Sequence, residues 1–457
     1  MKKVLFAFIL VLTIALLAGT CFAETYTGSG IGRNGEVKVD VIFEDNGTIA
    51  DIAIAESSET PAIAAYAVER IPSLIMEHQT LNVDAVSGAT FTSNAIKNAV
   101  KDAMKQAGLD PENYQEPIVY TGEEKSLDAD IVIVGAGGSG LSAAIEAAGA
   151  GKNVLLVESN AYAGGATLYC GGMVMYAPTA EEAAEFGSLD AESLHQGMKE
   201  NASPEFFNDA LNMDYLNHSL ENLQWLKGFY DGDDLVDSHD PGYVPLSSEN
   251  GVASHTLAIT VRPKAEGEDP LVNTWIVDSL VKAAQNAGAE FLLETTADQL
   301  LTDADGKVCG IHASDRYGNT YTITAKKVIL ATGGFGSNYS LLKEHTDMER
   351  PFYLGPTSNK GWGIEAGESV GAKTGYANLP DLPGYDSMVY GTVGGLIVNE
   401  KAEVLNENDA AIDNLYAVGE LTCVQVLDTV HFSAGENSSW NLYSGRIAGA
   451  EAAQTIQ

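Results

Sequence analysis

The stretch that decides the fold is DADIVIVGAGGSGLSAAIEAAGAGKNVLLVE, residues 128–158. A continuous apolar run (IVIV, 131–134) passes directly into Gly135-x-Gly137-x-x-Gly140, then an Ala-rich helical segment, then a second apolar run that ends in Glu158. Such runs are the signature of strands buried on both faces, and with a helix between them they predict a parallel βαβ unit. Glycine permits the tight turn and a close backbone approach, so the helix N-terminus can face a pyrophosphate. Gly138 belongs to the same cradle. Glu158 follows Gly135 by 23 residues, at the end of the second strand, where it can accept hydrogen bonds from a ribose and would repel a 2′-phosphate. The competing reading is a glycine turn that merely packs a helix on a sheet; the complete strand–turn–helix–strand context argues against it.

NAD and FAD share this fingerprint, so other segments must choose. Gly164, Gly165, Ala166 and Thr167 follow the second strand as a further backbone cradle. VILATGGFG (328–336) ends another strand on Ala331, Thr332, Gly333 and Gly334, and NLYAVGEL (414–421) places Gly419 and Glu420 at a third strand end. A single nicotinamide site has no need of three more glycine strand ends, so an extended FAD is expected, with Gly172, Ala297, Asn441 and Leu442 added to its binding set. Residues 176–270 interrupt the α/β rhythm and read as an inserted capping region.

Upstream, EVKVDVIF (36–43) and TIADIAIA (48–55) alternate with period two across an EDNG turn and predict a strand pair. AAYAVERIPSLIMEH (64–78) and AIKNAVKDAMKQAG (95–108) are helical by spacing. Residues 24–108 therefore form a small α+β domain, and 109–127, polar with two prolines, read as a linker to a domain over 128–457. Residues 1–23, MKKVLFAFILVLTIALLAGTCFA, carry two lysines, a long apolar run and a small-residue exit, which is an export signal. Cys21 as a lipid-modified N-terminus is the alternative. The protein is thus expected in the periplasm or at the cell surface.

The net charge is −38, and loss of the leader removes two lysines and no acid. Such a surface repels phosphate backbones, so nucleic acid is excluded as a partner. Cys170, Cys309 and Cys423 are too few and too scattered for a disulfide framework. No C-x-x-C-H haem motif and no clustered metal ligands occur, so no metal is expected.

The blocks DIVIVGAGGSGLSAAIEAAGAGKNVLLVE, GGATLYCGGM, KKVILATGGFGSN, GGLIVNEKAEVL, NLYAVGEL and SGRIAGAEAA, in that order, resemble the fumarate reductase/succinate dehydrogenase flavoproteins, especially the exported flavocytochrome c-like and urocanate reductase-like branch. The resemblance implies an α/β, two-dinucleotide-binding-type FAD domain with a reduced cap, and hydride transfer to the C=C bond of a small unsaturated organic acid. The same branch carries N-terminal FMN-binding domains. Asp84-Ala-Val-Ser87-Gly-Ala-Thr90 matches the motif D-x-x-S-G-A-T, in which a flavin transferase links FMN covalently to the threonine. Thr90 as a plain helix cap is the competing reading. An external donor, a membrane or extracellular redox protein, is expected to reduce FMN, which passes electrons to non-covalent FAD.

The chain departs from that family at the substrate. The long stretch carrying the family's acid-catalyst arginine is reduced to a short loop between 379 and 390, and HFSAGENSSWNL (431–442) holds no arginine. Arg262 with His255 is the expected anion clamp, against a surface ion pair and a polar loop histidine. Tyr390 and His431 are the expected donors to substrate, against structural roles. Cys170 is readable as flavin-adjacent or as packing, Arg316 as surface, and Trp362 replaces an aspartate usual in the family. A flavin dehydrogenase or oxidase on another substrate, or a two-flavin electron carrier without turnover, are the alternative functions.

Overall fold

The computed structural model describes residues 24–59, 61–86, 89–240, 257–264, 274–380, 388–430 and 433–456. The leader, Ser87, His255 and His431 lie outside them. The chain divides into two compact units, with the boundary between Tyr120 and Thr121.

In the first unit, β1 (Thr25–Ile31), β2 (Glu36–Phe43) and β3 (Ile49–Ser57) form an antiparallel sheet in that order, with helices α1 (Pro61–His78) and α2 (Thr90–Gln106). The period-two pattern puts Val37, Val39 and Val41 in the core, and α2 buries Ala95, Ile96, Ala99, Val100, Ala103 and Met104 at helical spacing. The alternating pattern predicts a strand pair; β1 makes it a three-stranded sheet. TYTGSGI has little strand character of its own. Its glycines instead let α2 touch the strand backbone: a Cβ on Gly28 would lie 2.0 Å from the Ala99 carbonyl oxygen, and one on Gly30 2.1 Å from that of Ala95.

The expected linker at 109–127 is also corrected. Pro111–Tyr114 is a 3-10 turn whose start is capped by Asp110, and it is held to the first unit by Leu81 N–H to the Tyr114 carbonyl (2.7 Å) and Tyr114 Oη–H to the Gly47 carbonyl (2.6 Å). At the other end strand β4 (Glu124–Val134) begins at Glu124 because strand β12 (Thr320–Leu330) pairs with it from Thr320 onward. Thr80 Oγ1 also donates to the Glu116 carbonyl (2.8 Å) and Glu123 N–H to Asn319 Oδ1 (2.9 Å), so the connection between the units narrows to 117–122.

The second unit opens with β4 (Glu124–Val134), α3 (Gly138–Gly149) and β5 (Val154–Val157). An insertion follows: β6 (Val174–Tyr176), α4 (Ala180–Phe186), α5 (Ala191–Asn201), α6 (Asp209–Lys227), β7 (Leu235–Asp237) and β8 (Ile259–Pro263), with a small sheet ordered β6-β8-β7. The chain returns through α7 (Trp275–Ala287), β9 (Glu290–Leu292), β10 (Thr295–Thr302), β11 (Val308–Asp315) and β12 (Thr320–Leu330). Short elements come next: α8 (Tyr339–Glu344), β13 (Phe352–Tyr353), α9 (Trp362–Ser369), β14 (Thr374–Tyr376), β15 (Met388–Val389), β16 (Gly394–Leu396) and β17 (Glu403–Leu405). β18 (Ala411–Ala417) and α10 (Glu436–Gln454) close the fold.

The parallel sheet runs β9-β5-β4-β12-β18, and β10 and β11 extend it antiparallel beyond one half of β12. Chain order reverses direction between β4 and β12. Crevices that bind ligands form at the carboxyl ends of strands at such a switch point. Helix α10 crosses α3 at backbone contact: a Cβ on Gly445 or Gly449 would sit 2.2 Å from the carbonyl oxygens of Ser139 and Ala143.

Candidate functional site

At the switch point β4, β12 and β18 end in step, with Ala331 N–H on the Val134 carbonyl (2.8 Å) and Val418 N–H on the Leu330 carbonyl (3.0 Å). Three glycine strand ends remote in sequence thus line up on one edge. Gly135 adopts φ +103, a conformation open to glycine, and a Cβ there would lie 2.3 Å from the Ala331 carbonyl oxygen. Gly137 bridges Gly164, and the Gly138 N–H donates to Thr167 Oγ1 (3.0 Å) at the first turn of α3.

These ends line a cleft that opens to solvent. Its wall includes Gly135, Gly137, Gly138, Glu158, Gly165, Ala166, Thr167, Ala297, Ala331, Thr332, Gly333, Glu420 and Asn441. Gly140, Gly164, Gly172, Gly334, Gly419 and Leu442, expected at the cofactor, stand behind that wall. Gly140 lets α3 close on Gly135, the Gly172 carbonyl accepts from Trp275 Nε1 (2.7 Å), and Gly334 makes room for Thr392 and Glu420. Thr295, Thr296, Ser358 and Asn359 line the cleft without any motif to mark them, and Trp362 lines it too.

The wall fits a dinucleotide. Thr332 Oγ1 and Asn441 Oδ1 are buried there with no hydrogen-bond partner, which a finished fold rarely tolerates unless a ligand supplies one. Glu158 is 5% exposed and already accepts from the N–H groups of Ala136 (2.9 Å) and Asn160 (2.8 Å); burial pushes its carboxyl above the usual range against those bonds. Glu420 Oε1 accepts from the N–H (2.8 Å) and hydroxyl (2.9 Å) of Thr392.

In the first unit, Thr90 is exposed as the first residue of α2. The N-cap is Ala89, with no side-chain cap bond, so Thr90 is not the cap. Its neighbours do the structural work. Ser93 Oγ donates to the Ala89 carbonyl (2.8 Å) and accepts from Val86 N–H (3.0 Å). Thr92 Oγ1 donates to buried Glu59 (2.5 Å), which also accepts from Asn34 N–H (2.7 Å). Burial pushes Glu59 up, but the Thr92 hydroxyl and the N–H groups of Asn34 and Arg33 outweigh it, and its carboxyl lies below the usual range. Asp84 is exposed near Lys97, whose ammonium donates to the Val83 carbonyl (3.0 Å).

Arg262 is 1% exposed on β8, opposite Val236, so it is not a surface ion pair. Its strand is tied to the segment after residue 431: Ala258 N–H donates to Ser433 Oγ (3.3 Å) and Thr260 Oγ1 to the Ala434 carbonyl (3.1 Å). Tyr390 is half-buried beside Gly391. Asp428 and Glu436 are each 2% exposed and their carboxyls meet; burial pushes Glu436 up to about 8. Sequence reasoning missed this pair. Cys170 is half-buried, and Arg316 pairs with Glu294 (3.3 Å) at the surface.

A family model described as FAD binding domain matches residues 130–383 and 386–431, and one described as FMN-binding domain matches 32–105. A urocanate reductase of Eggerthella lenta is 33% identical over 348 residues, covering 74% of this chain and 54% of that protein. An NADH:acrylate oxidoreductase of Vibrio harveyi is 30% identical over 423 residues, covering 82% and 42%. The chain thus spans about half the length of these curated relatives. Among solved structures, the open conformation of a flavocytochrome c3 fumarate reductase superposes with TM-score 0.55 at 20% identity, covering 72% of this chain and 79% of that one. A 3-ketosteroid-delta4-(5alpha)-dehydrogenase from Rhodococcus jostii RHA1 gives 0.57 at 19%, covering 73% and 98%.

Proposed function

The chain belongs to the FAD binding domain family of fumarate reductase-like flavoproteins and carries an FMN-binding domain ahead of it, and from that premise we propose an extracytoplasmic reductase of small unsaturated organic acids with FMN borne covalently on Thr90. When bound, FAD supplies hydride for an activated C=C bond and FMN a relay from an external donor. The Gly135–Gly138 turn and the N-terminus of α3 receive the pyrophosphate, Glu158 the ribose, and the unpartnered Thr332 and Asn441 the remaining polar edge. Arg262 offsets the carboxylate of the substrate, and His431 and Tyr390 are the groups to donate the proton that completes saturation.

Thr90 contributes the hydroxyl oxygen of a phosphodiester, and its place in the first turn of a 17-residue helix favours the phosphate charge. A flavin transferase is the required partner, and the leader over 1–23 supports export, with Cys21 as an alternative lipid attachment point. The observation that carries the reading is the cleft at the strand ends with its buried, unpartnered Thr332 and Asn441. Its test is anaerobic reduction of the flavin-loaded protein, followed by addition of fumarate, urocanate, acrylate and cinnamate-type acids. At least one should restore oxidised flavin absorbance with formation of the saturated acid. If none does, the reductase reading fails.

A further inference from the structure

The end of α2 that carries Thr90 is held by a device other than a helix cap. Helix starts fray, because their first N–H groups lack partners inside the helix, and a side-chain cap normally steadies them. Here Ala89 stands at the N-cap with no side-chain bond, and Thr90 is the first residue of the helix. The turn is steadied from another segment instead. Thr92, 3% exposed, donates its hydroxyl to Glu59 Oε2 (2.5 Å), and Glu59 Oε1 accepts from Asn34 N–H (2.7 Å). The turn between β1 and β2 closes on the same carboxyl: a Cβ on Gly32 would lie 2.6 Å from Glu59 Oε1. One side chain thus ties the first turn of α2 to the β1–β2 turn and to the segment that follows β3.

Glu59 is 7% exposed, and burying a carboxyl costs stability unless its bonds offset the loss of water. An apolar pair of similar volume would hold two segments together as well. It would not fix their direction. A hydroxyl-to-carboxylate bond is short and directional, so it sets where the first turn of α2 stands. Thr90 lies in that same turn, with its side chain exposed. Group transfer depends steeply on such placement: a shift of about 1 Å in a reacting group can cost about a hundredfold in rate.

We infer that Glu59 is a positioning residue for flavin attachment: through Thr92 it fixes the first turn of α2, so that the Thr90 hydroxyl meets a flavin transferase in one orientation. This rests on the proposed covalent attachment at Thr90. The step balances as a phosphoryl transfer from a flavin dinucleotide. The bond from Thr90 Oγ to phosphorus forms, the phosphoanhydride bond to AMP breaks, and the hydroxyl proton leaves to solvent. Glu59 acts on this step through the helix.

The test follows attachment to the full chain by a flavin transferase supplied with FAD, read by intact mass and by the AMP released. Thr92→Val removes the hydroxyl at nearly constant shape. Its kcat for attachment, per folded molecule and well below its melting temperature, should fall by about tenfold to a hundredfold at an unaltered KM. Thr92→Ser keeps the hydroxyl and should attach flavin within about twofold of the wild-type rate. Should Thr92→Val not fold, Glu59→Gln replaces the charge-assisted bond with a neutral one, and its kcat should fall by about threefold. An unaltered kcat per folded molecule in the variant that folds overturns the inference, and so does a rise in KM alone. An equal loss in Thr92→Val and Thr92→Ser overturns it too. Thr90→Ala separates this inference from the attachment it rests on. Flavin still gained by Thr90→Ala would sink the Thr90 site and the positioning role together. Flavin lost there, with Thr92→Val loading at the wild-type rate, would sink the positioning role alone.

Discussion

Thr90 and Thr92 stand two residues apart on one helix, and the fold gives them opposite tasks. Thr92 is buried against Glu59, while Thr90 is exposed and its hydroxyl caps nothing. Thr90→Ala should therefore change the stability of the folded protein by no more than about 0.5 kcal/mol, as expected for an exposed site without a cap bond. It should also remove the covalent flavin detected by intact mass; an adduct surviving the change would place the attachment elsewhere. Glu436 carries a pH prediction. Its folded-state pKa is raised from 4.5 to about 8, so the stability it contributes is fully present below its unfolded value and is lost as pH rises through about 8. The groups facing it are Asp428, Tyr215 of α6, and Cys423. Thermal unfolding followed from about pH 5 to about pH 9, a range that brackets this loss, should show the wild-type melting temperature falling toward the alkaline end. Glu436→Gln should flatten that fall, and a parallel fall in the variant would assign it to another group.

At the scale of elements, the contact between α3 and α10 sets how closely the dinucleotide turn is backed. Gly449→Ala illustrates two opposed effects. Alanine favours the helix interior by about 1 kcal/mol, but its Cβ would lie 2.2 Å from the Ala143 carbonyl oxygen, a backbone atom that cannot rotate aside. Overpacking of this kind costs about 1–3 kcal/mol, so the clash should prevail. The variant should unfold at lower denaturant and retain less FAD on gel filtration; equal stability would show that the helices separate freely. The same logic explains β1. Gly28 and Gly30 weaken it as a strand pattern, yet α2 can approach only because they lack side chains. Its strand character comes from pairing with β2, from Thr25↔Ile42 to Ile31↔Glu36, and not from its own composition.

At the scale of the whole molecule, two compact units are joined by 117–122, where Val119 is 80% exposed. Limited proteolysis should cut there first and yield a fragment of each unit, with mass spectrometry finding any covalent flavin on the smaller one. Early cleavage inside either unit would contradict this division. The parallel sheet, the glycine cradle and the Thr90 motif were legible in sequence because they are local: buried strands are apolar throughout, tight turns need glycine, and both leave marks within about 30 residues. Nothing local marks Thr295, Ser358, Asn359 or the Asp428–Glu436 pair, whose surroundings come from segments far away in the chain. The expected linker was too long for the same reason, since Pro111–Tyr114 and Glu124–Leu127 gain their order from Gly47, Leu81 and β12. The sequence by itself thus determined the class of fold and the cofactor family, because backbone geometry is written in residue type and spacing. Only the tertiary structure decided that Arg262 is buried, that Thr90 is not a cap and that Asp428 and Glu436 meet, because burial and charge environment depend on which distant segments the fold brings together.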